Sequence, residues 1–406
     1  MRSNDATPRV VFINPWDKRI GPNRYLADLL RQSPALAHNS IVILPNADEA
    51  ADEYRAMGCQ VEVWQDARLV HVKLNIPSTV KLLRIHTLGV FHAWRRFRSW
   101  RVQLVLTNSE NVWFGGMAAF LSRIPHIQVF HALTLEHHWG AHPRSVRWYL
   151  RFLSLWSTRF IAVSNAVAEM LNRNGVASNR VFVLPNALDI TALTAASQHP
   201  LPPVLERLIE DHSPLLVSLG RISALKGQDL LVEALPQVKE KFPKFLCLFG
   251  GQLGSDEGVD DTQSFYRRLQ LRIRELGLEE NVSFLGEIDY APALLRRANV
   301  YVQPSRSESF CRAVAEALVC STPIVAFRVG GIPEIVGNSG GMLVEPGDTF
   351  ALADAIVKMA SDPSLQESTL VVGRRNVREK FDAKCVAELF RQILQGKLST
   401  SRIVTR

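Results

Sequence analysis

The sequence has no uninterrupted apolar run of the roughly 18 residues that a bilayer-spanning helix needs; the stretch from Thr79 to Trp94, for instance, is broken by Lys81 and Arg84. Cysteine is sparse and odd in number: Cys59, Cys247, Cys311, Cys320 and Cys385 are scattered, with no Cys-x-x-Cys pair. That pattern suggests neither a disulfide framework nor a zinc site, and fits reduced, mostly buried thiols. The first nine residues, Met1 to Arg9, contain no signal-peptide core, so the expected compartment is the cytosol. Acidic residues are missing altogether from Ala67 to Ser109 and again from His137 to Ala168.

The first of those acid-free stretches holds eight cations (Arg68, Lys73, Lys81, Arg84, Arg95, Arg96, Arg98 and Arg101), equal to the net charge of +8 of the whole chain. The second adds Arg144, Arg147, Arg151 and Arg159. The first half of the protein is therefore positive toward something anionic, such as phospholipid headgroups, a polyphosphate-linked acceptor or nucleic acid. Otherwise the composition is that of a globular protein, 47% hydrophobic and 21% charged, and 406 residues is too long for one ordinary core.

Runs rich in β-branched residues alternate with stretches of helical period. The expected strands are Val10–Ile13, Ile41–Leu44, Val61–Trp64, Leu104–Thr107, Ile127–Phe130, Phe160–Val163 and Val181–Leu184, then Leu215–Leu219, Phe245–Phe249, Val282–Leu285, Val300–Gln303 and Ile324–Phe327. Such alternation means βαβ units and parallel sheets. The Ala/Thr/Ser/Pro/His-rich stretch between the two series reads as a linker. The expected organisation is residues 1–190 as a first Rossmann-like domain, 191–213 as linker, 214–380 as a second, and 381–406 as a helix and tail packing back toward the first.

Ligands bind beyond the carboxyl ends of parallel strands, which directs attention to residues just after strands. After Val300–Gln303 and the turn at Pro304-Ser305 comes Ser307-Glu308-Ser309-Phe310-Cys311-Arg312-Ala313-Val314-Ala315-Glu316. Here Glu308 is expected to open a helix, with Glu316 two turns along it. A helix N-terminus offers N–H groups to phosphate, and a glutamate further along can hold a ribose diol. The plainer reading makes Glu308 a helix cap and pairs Glu316 with a surface cation. After Leu215–Leu219, Arg221 and Lys226 share one short loop, and together they suit a pyrophosphate. With the glutamates they outline a site for a nucleoside diphosphate.

From these residues the chain resembles glycosyltransferase family 4, of the GT-B fold, along nearly its whole length. The pieces stand in the family's order: Gly21-Pro22-Asn23 after the first strand, His131 after a later one, Ala162-Val163-Ser164-Asn165, Leu184-Pro185-Asn186, the Arg221/Lys226 loop, Val282-Ser283-Phe284-Leu285-Gly286, Gln303-Pro304-Ser305, the two glutamates separated by seven residues, and Gly330-Gly331-Ile332-Pro333-Glu334. The resemblance implies two Rossmann-like domains facing each other across a deep cleft. It implies a nucleotide-sugar donor whose diphosphate is neutralised by Arg221 and Lys226, whose ribose is held by Glu316 and whose sugar hydroxyls meet Glu308. The backbone N–H groups of Ser309 and Phe310 would complete the phosphate site, His131 would hydrogen-bond the sugar, and Gly21 would let the backbone approach it. Family members retain anomeric configuration and generally need no metal; no Asp-x-Asp occurs in the sequence. Ser309, Cys311, Ala132 and Ala187 depart from the pattern, standing where the family usually has glycine. The implied activity is hexosyl transfer to a glycan or lipid-linked acceptor. The alternatives are a GT-B sugar-nucleotide epimerase and a non-catalytic GT-B subunit that binds glycan or scaffolds a partner.

Five histidines fall between His126 and His142, and His137, His138 and His142 raise the question of a metal. A structural site wants a closed set of four ligands and a less basic neighbourhood, so no metal or cofactor is expected, and the segment is assigned to the acceptor side. Last, His92 to Arg101 mixes arginines with Trp94, Phe97 and Trp100 at spacings of three. One reading is a surface helix with its tryptophans partly buried; the favoured one is a face that meets an anionic membrane, placing the protein peripherally on the inner leaflet. No nucleic-acid motif accompanies it, and no nucleic-acid partner is expected.

Overall fold

The computed structural model describes residues 8–15, 21–67, 76–133, 143–252 and 262–397. His137, His138 and His142, like Arg68 and Lys73, lie outside the described residues. The chain divides into two compact units, one made of Met1–Ala187 with Ala383–Arg406 and the other of Leu188–Asp382.

The first unit is built on a seven-stranded sheet, in the order β3-β2-β1-β4-β5-β6-β7. Its strands are β1 (Val10–Ile13), β2 (Ser40–Leu44), β3 (Gln60–Val63), β4 (Leu104–Thr107), β5 (His126–Phe130), β6 (Arg159–Ala162) and β7 (Val181–Val183). Every pair is parallel. Central β1 is Val-Val-Phe-Ile and wholly buried, as a strand covered by helices on both faces requires. Consecutive strands step outward from β1 to β3 and then return to β4 on its other side. The β1/β4 junction is therefore the point where the winding reverses and where α/β sheets open a crevice for ligands. The last helix, Ala383–Leu394, completes this unit, with Phe390 against Phe12 at 6.3 Å between ring centroids.

The second unit repeats the plan with six parallel strands in the order β10-β9-β8-β11-β12-β13. They are β8 (Leu215–Leu219), β9 (Leu246–Gly250), β10 (Val282–Gly286), β11 (Val300–Gln303), β12 (Ile324–Phe327) and β13 (Met342–Val344). Its reversal lies between β8 and β11. The expected strands agree with the observed ones to within a residue at each end, except that β13 was not foreseen. The stretch read as a linker instead carries two helices, Ile190–Ala196 and Pro203–Glu210, grouped with the second unit. Its polar and proline-rich composition marks helix starts rather than loose chain. The Asp189 side chain accepts from the N–H of Ala192 at 2.9 Å, and Pro203 occupies the first helical turn, where its missing N–H costs nothing.

The expected membrane face of the 24-residue helix Ile76–Ser99 also needs correction. Phe97 is fully buried in the first unit's core, and Trp94 and Trp100 pack against that core. Trp100 stacks on Trp64 at 5.8 Å. A three-residue spacing marks one helical face without saying which way it turns, and here the rings turn inward. Among the described side chains of this helix, Leu88 and Phe91 are the large apolar ones exposed, at 56% and 58%.

Candidate functional site

In the second unit the loops leaving β8 and β11 are joined by close backbone packing. Gly227 has a left-handed φ of 71°, and a Cβ there would lie 1.9 Å from the carbonyl oxygen of Pro304. No other residue fits. Arg306 adds a clamp, giving a bidentate pair to Asp229 at 2.8 and 2.7 Å and a further bond to the carbonyl of Ala224. Gln228, nearly fully buried, brackets the Arg221 loop by donating to the carbonyl of Arg221 at 3.0 Å and accepting from the N–H of Ser223 at 3.3 Å.

That packing brings Lys226 to Glu308. The Lys226 Nζ stands 2.7 Å from Glu308 Oε1, and both side chains are largely buried, at 23% and 7% exposure. The same oxygen accepts from the Ser305 hydroxyl at 2.8 Å and from Gln303 Nε2 at 3.3 Å. Behind them Tyr301 donates to Gln303 Oε1, fixing the amide's orientation. Burial pulls the Lys226 ammonium down, but the charge of Glu308 and its hydrogen bond outweigh this and hold its pKa above the usual lysine value. The pair is thus charged and mutually neutral, with two ammonium hydrogens left for another anion. Arg221 is exposed and makes no ion pair among the described residues, so it carries the site's uncompensated positive charge.

Glu308 does not open a helix. The helix runs Arg312–Val319, and Cys311 caps it in the left-handed conformation, at φ 71° and ψ 70°. The N–H groups of its first turn therefore begin at Arg312, not at Ser309 and Phe310. The Ser309–Phe310 segment packs instead on Gly331, whose added Cβ would meet the Ser309 carbonyl oxygen at 2.6 Å, and Phe310 is buried edge-on to Phe381. The positive φ at Cys311 explains the glycine usual at that position, because a side chain there costs about 1–2 kcal/mol. Burial first, then Glu308, raises the Cys311 thiol far above its usual value, so it stays protonated. Glu316 lies on the helix and is paired, its Oε1 held by Arg312 Nε at 2.7 Å one turn earlier. Glu316 is thus paired with a largely buried cation on its own helix, and Glu308 is not that helix's cap.

The first unit places His131 directly after β5. Its Nε2 meets Asn108 Oδ1 at 2.7 Å, its N–H donates to Glu110 Oε2 at 3.2 Å, and the Tyr25 ring stands edge-on at 5.0 Å. Burial lowers the pKa of His131 to about 3, so the ring is neutral at any physiological pH. Burial also raises the Glu110 carboxyl. Gly21 starts the helix Gly21–Arg31 at the mouth of the β1/β4 reversal, and a Cβ there would meet nothing within 4 Å. Each unit thus carries part of the expected set at its own reversal point: His131 and Gly21 in the first, and Arg221, Lys226 and Glu308 in the second. Asn14 and Asn108 stand outside the expected set. Their signal was a polar residue directly after a run of four apolar or β-branched ones.

Two family models match the chain. Residues 206–373 fit the glycosyl transferases group 1, and residues 20–192 fit Glycosyltransferase Family 4. The chain belongs to the family 4 glycosyltransferases. It is 25% identical over 411 residues to a GDP-mannose-dependent monoacylated alpha-(1-6)-phosphatidylinositol monomannoside mannosyltransferase of Corynebacterium glutamicum, covering 96% of this chain and 98% of that one. It is 31% identical over 240 residues to the phosphatidyl-myo-inositol mannosyltransferase of Mycobacterium leprae, a match spanning 58% of each. Anabaena HepE, solved in complex with UDP and glucose, superposes with a TM-score of 0.76 at 22% identity over 95% of this chain and 99% of that one. The two parallel-sheet units are those of GT-B glycosyltransferases. The family 4 enzyme is a hexosyltransferase, a reading favoured over the epimerase and the non-catalytic subunit. Among the described residues no helix is long and apolar enough to cross a membrane.

Proposed function

We propose that this enzyme transfers a hexose, with retention and without a metal, from a nucleoside-diphosphate sugar to a glycan or lipid-linked acceptor at an anionic membrane surface. The observation that carries the donor side is the buried Lys226–Glu308 pair at the β8/β11 reversal, with the exposed Arg221 on the same loop as Lys226 and without an ion pair among the described residues. Arg221 and the spare hydrogens of Lys226 suit a diphosphate, and they would stabilise the charge that grows on it as it leaves. The acceptor hydroxyl oxygen would bond to the anomeric carbon as that carbon's bond to the phosphate oxygen breaks, and the hydroxyl proton would pass to the departing phosphate on the same face. Glu308 would meet sugar hydroxyls, Glu316 the ribose, His131 the sugar, and the Ser309–Phe310 segment would line the phosphates, while Gly21 gives close approach. No protein nucleophile is required, so the residues contribute positioning and electrostatics.

The membrane side rests on three helices of the first unit. Leu88 and Phe91 on Ile76–Ser99, Phe120 and Leu121 on Phe114–Leu121, and Trp148 on Pro143–Ser154 are all exposed, with Leu155 just beyond. Arg95 lies over Phe91 and Arg151 over Trp148. Exposed rings under arginines suit an acyl boundary beneath phosphates. The relatives named as phosphatidylinositol monomannoside and phosphatidyl-myo-inositol mannosyltransferases agree with a lipid-linked one. A thermal-shift panel of UDP, GDP, UDP-glucose and GDP-mannose tests the donor side, because a bound ligand stabilises the fold by mass action. Stabilisation by one nucleotide and its sugar, lost in Arg221→Ala, is the expected outcome; no shift with any of them would overturn it.

A further inference from the structure

Three asparagines at the first unit's β1/β4 reversal, Asn14, Asn23 and Asn108, are completely buried and linked into one chain of hydrogen bonds. The direction of that chain is fixed by a group that can only accept. Asn108 Nδ2 lies 2.8 Å from the main-chain carbonyl of Pro22, so that atom must be the amide nitrogen. Its second hydrogen goes to Asn14 Oδ1 at 3.0 Å, and Asn14 Nδ2 passes on to Asn23 Oδ1 at 2.6 Å and to the Tyr54 hydroxyl at 3.1 Å. With its nitrogen committed, Asn108 presents only an oxygen to His131 Nε2, 2.7 Å away. A neutral imidazole carries one proton, and against an oxygen it must be on Nε2. The main-chain bond to Glu110 and the Tyr25 edge hold the ring's position, and Nδ1 has no partner among the described residues.

We propose that the Asn14–Asn108 amide chain locks His131 in the Nε2–H tautomer, so that the ring meets its ligand through the Nδ1 lone pair and selects a hydroxyl donor there. Asn108 and Asn14 are positioning residues acting through His131. The consequence rests on the nucleotide-sugar reading: the sugar must offer an O–H to Nδ1, and a deoxy, O-methyl or carboxylate group at that position is disfavoured. A carboxylate would set lone pair against lone pair, whereas a ring protonated at Nδ1 would welcome one. A sugar without that hydroxyl leaves the Nδ1 lone pair of the half-buried ring without its donor.

The test is nitrogen NMR of the ligand-free full chain with 15N-labelled histidine, assigned by the signal lost in His131→Gln. The wild type should show Nε2 protonated and Nδ1 bare, unchanged from pH 5 to 8. Asn108→Ala should give mixed tautomers, and Asn108→Asp, which keeps an oxygen facing the ring, should restore the single one. In parallel, discrimination in kcat/KM between UDP-glucose or GDP-mannose and their monodeoxy analogues should shrink about ten-fold in Asn108→Ala. A proton on Nδ1 in the wild type, or an Asn108→Ala spectrum identical to it, overturns the proposal. Should Asn108→Ala not fold, the wild-type and Asn108→Asp spectra decide alone. Failure of both donors to bind or react refutes the hexosyl-transfer reading and leaves the spectra, recorded without ligand, to judge the lock.

Discussion

Replacing Glu308 by Gln keeps the size and one acceptor oxygen of the side chain and removes its charge, which separates its two possible duties. In the wild type the carboxylate cancels Lys226 at 2.7 Å, so a free nucleoside diphosphate meets a neutral pair and the single net charge of Arg221. Without it, the ammonium is uncompensated. Two unit charges 4 Å apart interact by about 4 kcal/mol at an effective dielectric of 20; after screening and the cost of pulling Lys226 toward the ligand, on order of 1–2 kcal/mol should remain. Glu308→Gln should therefore bind the free diphosphate about five- to thirty-fold more tightly, yet bind the sugar donor no better and transfer far more slowly, because the acceptor for the sugar hydroxyls is weakened. Stability should fall as well. Lys226, Ser305 and Gln303 retain an oxygen to bond, so the loss should be about 1–3 kcal/mol, whereas Glu308→Ala removes the acceptor together with the charge and should cost about 3–5 kcal/mol. Calorimetry of the nucleoside diphosphate and its sugar on both variants reads the first effect, and urea unfolding reads the second. If the free diphosphate weakens in step with the donor, Glu308 serves to position Lys226 and the sugar-contact role is refuted.

Transfer should survive EDTA, since Arg221 and Lys226 meet the diphosphate charge; abolition by chelator with recovery on added magnesium or manganese would refute metal independence. The protein should pellet with vesicles containing anionic lipid and release as salt is added, and Phe91→Ser with Trp148→Ser should weaken this while donor binding stays intact; equal pelleting of that double variant would move the contact elsewhere. Burial holds both His126 and His131 near a pKa of about 3, well below the ordinary 6.5, so the unfolded chain binds their protons first as pH falls. Stability contributed above pH 6.5 should be lost at up to about 1.4 kcal/mol per pH unit for each ring between there and pH 3, and a urea midpoint that moves no less in His126→Gln than in the wild type would contradict it. Gly21→Ala should leave the melting temperature unchanged, because its Cβ meets nothing within 4 Å, yet reduce donor binding; a drop in both would assign Gly21 to the fold.

The strands were legible because buried parallel strands are continuous apolar runs, and β8 and β11 were placed to the residue. So were the loop cations, whose type and spacing speak of phosphate. Two kinds of feature were not. The helix start at Arg312 depends on a left-handed Cys311, and sequence gives no sign that a side chain accepts that conformation. The inward turn of Trp94, Phe97 and Trp100 depends on what lies beneath them, since Trp64 joins the stack from thirty or more residues away. Lys226 meeting Glu308 across 82 residues was equally hidden, because charge pairing across two loops follows from sheet order rather than from spacing.

The first unit is discontinuous in the sequence, and this constrains its synthesis. Helix Ala383–Leu394 buries Val386, Phe390 and Ile393 within it, but reaches the ribosome exit after all of Leu188–Asp382 has been made. At ~5–20 residues per second that delay is roughly 10–40 s. Through it, the ring of Phe12 on the central strand lacks its Phe390 partner. The second unit, although translated later, is the first whose residues are all present. The N-terminal half of this enzyme should therefore be the part that nascent-chain chaperones hold longest, and a stop codon before Ala383 should yield a protein that is recovered insoluble rather than merely inactive.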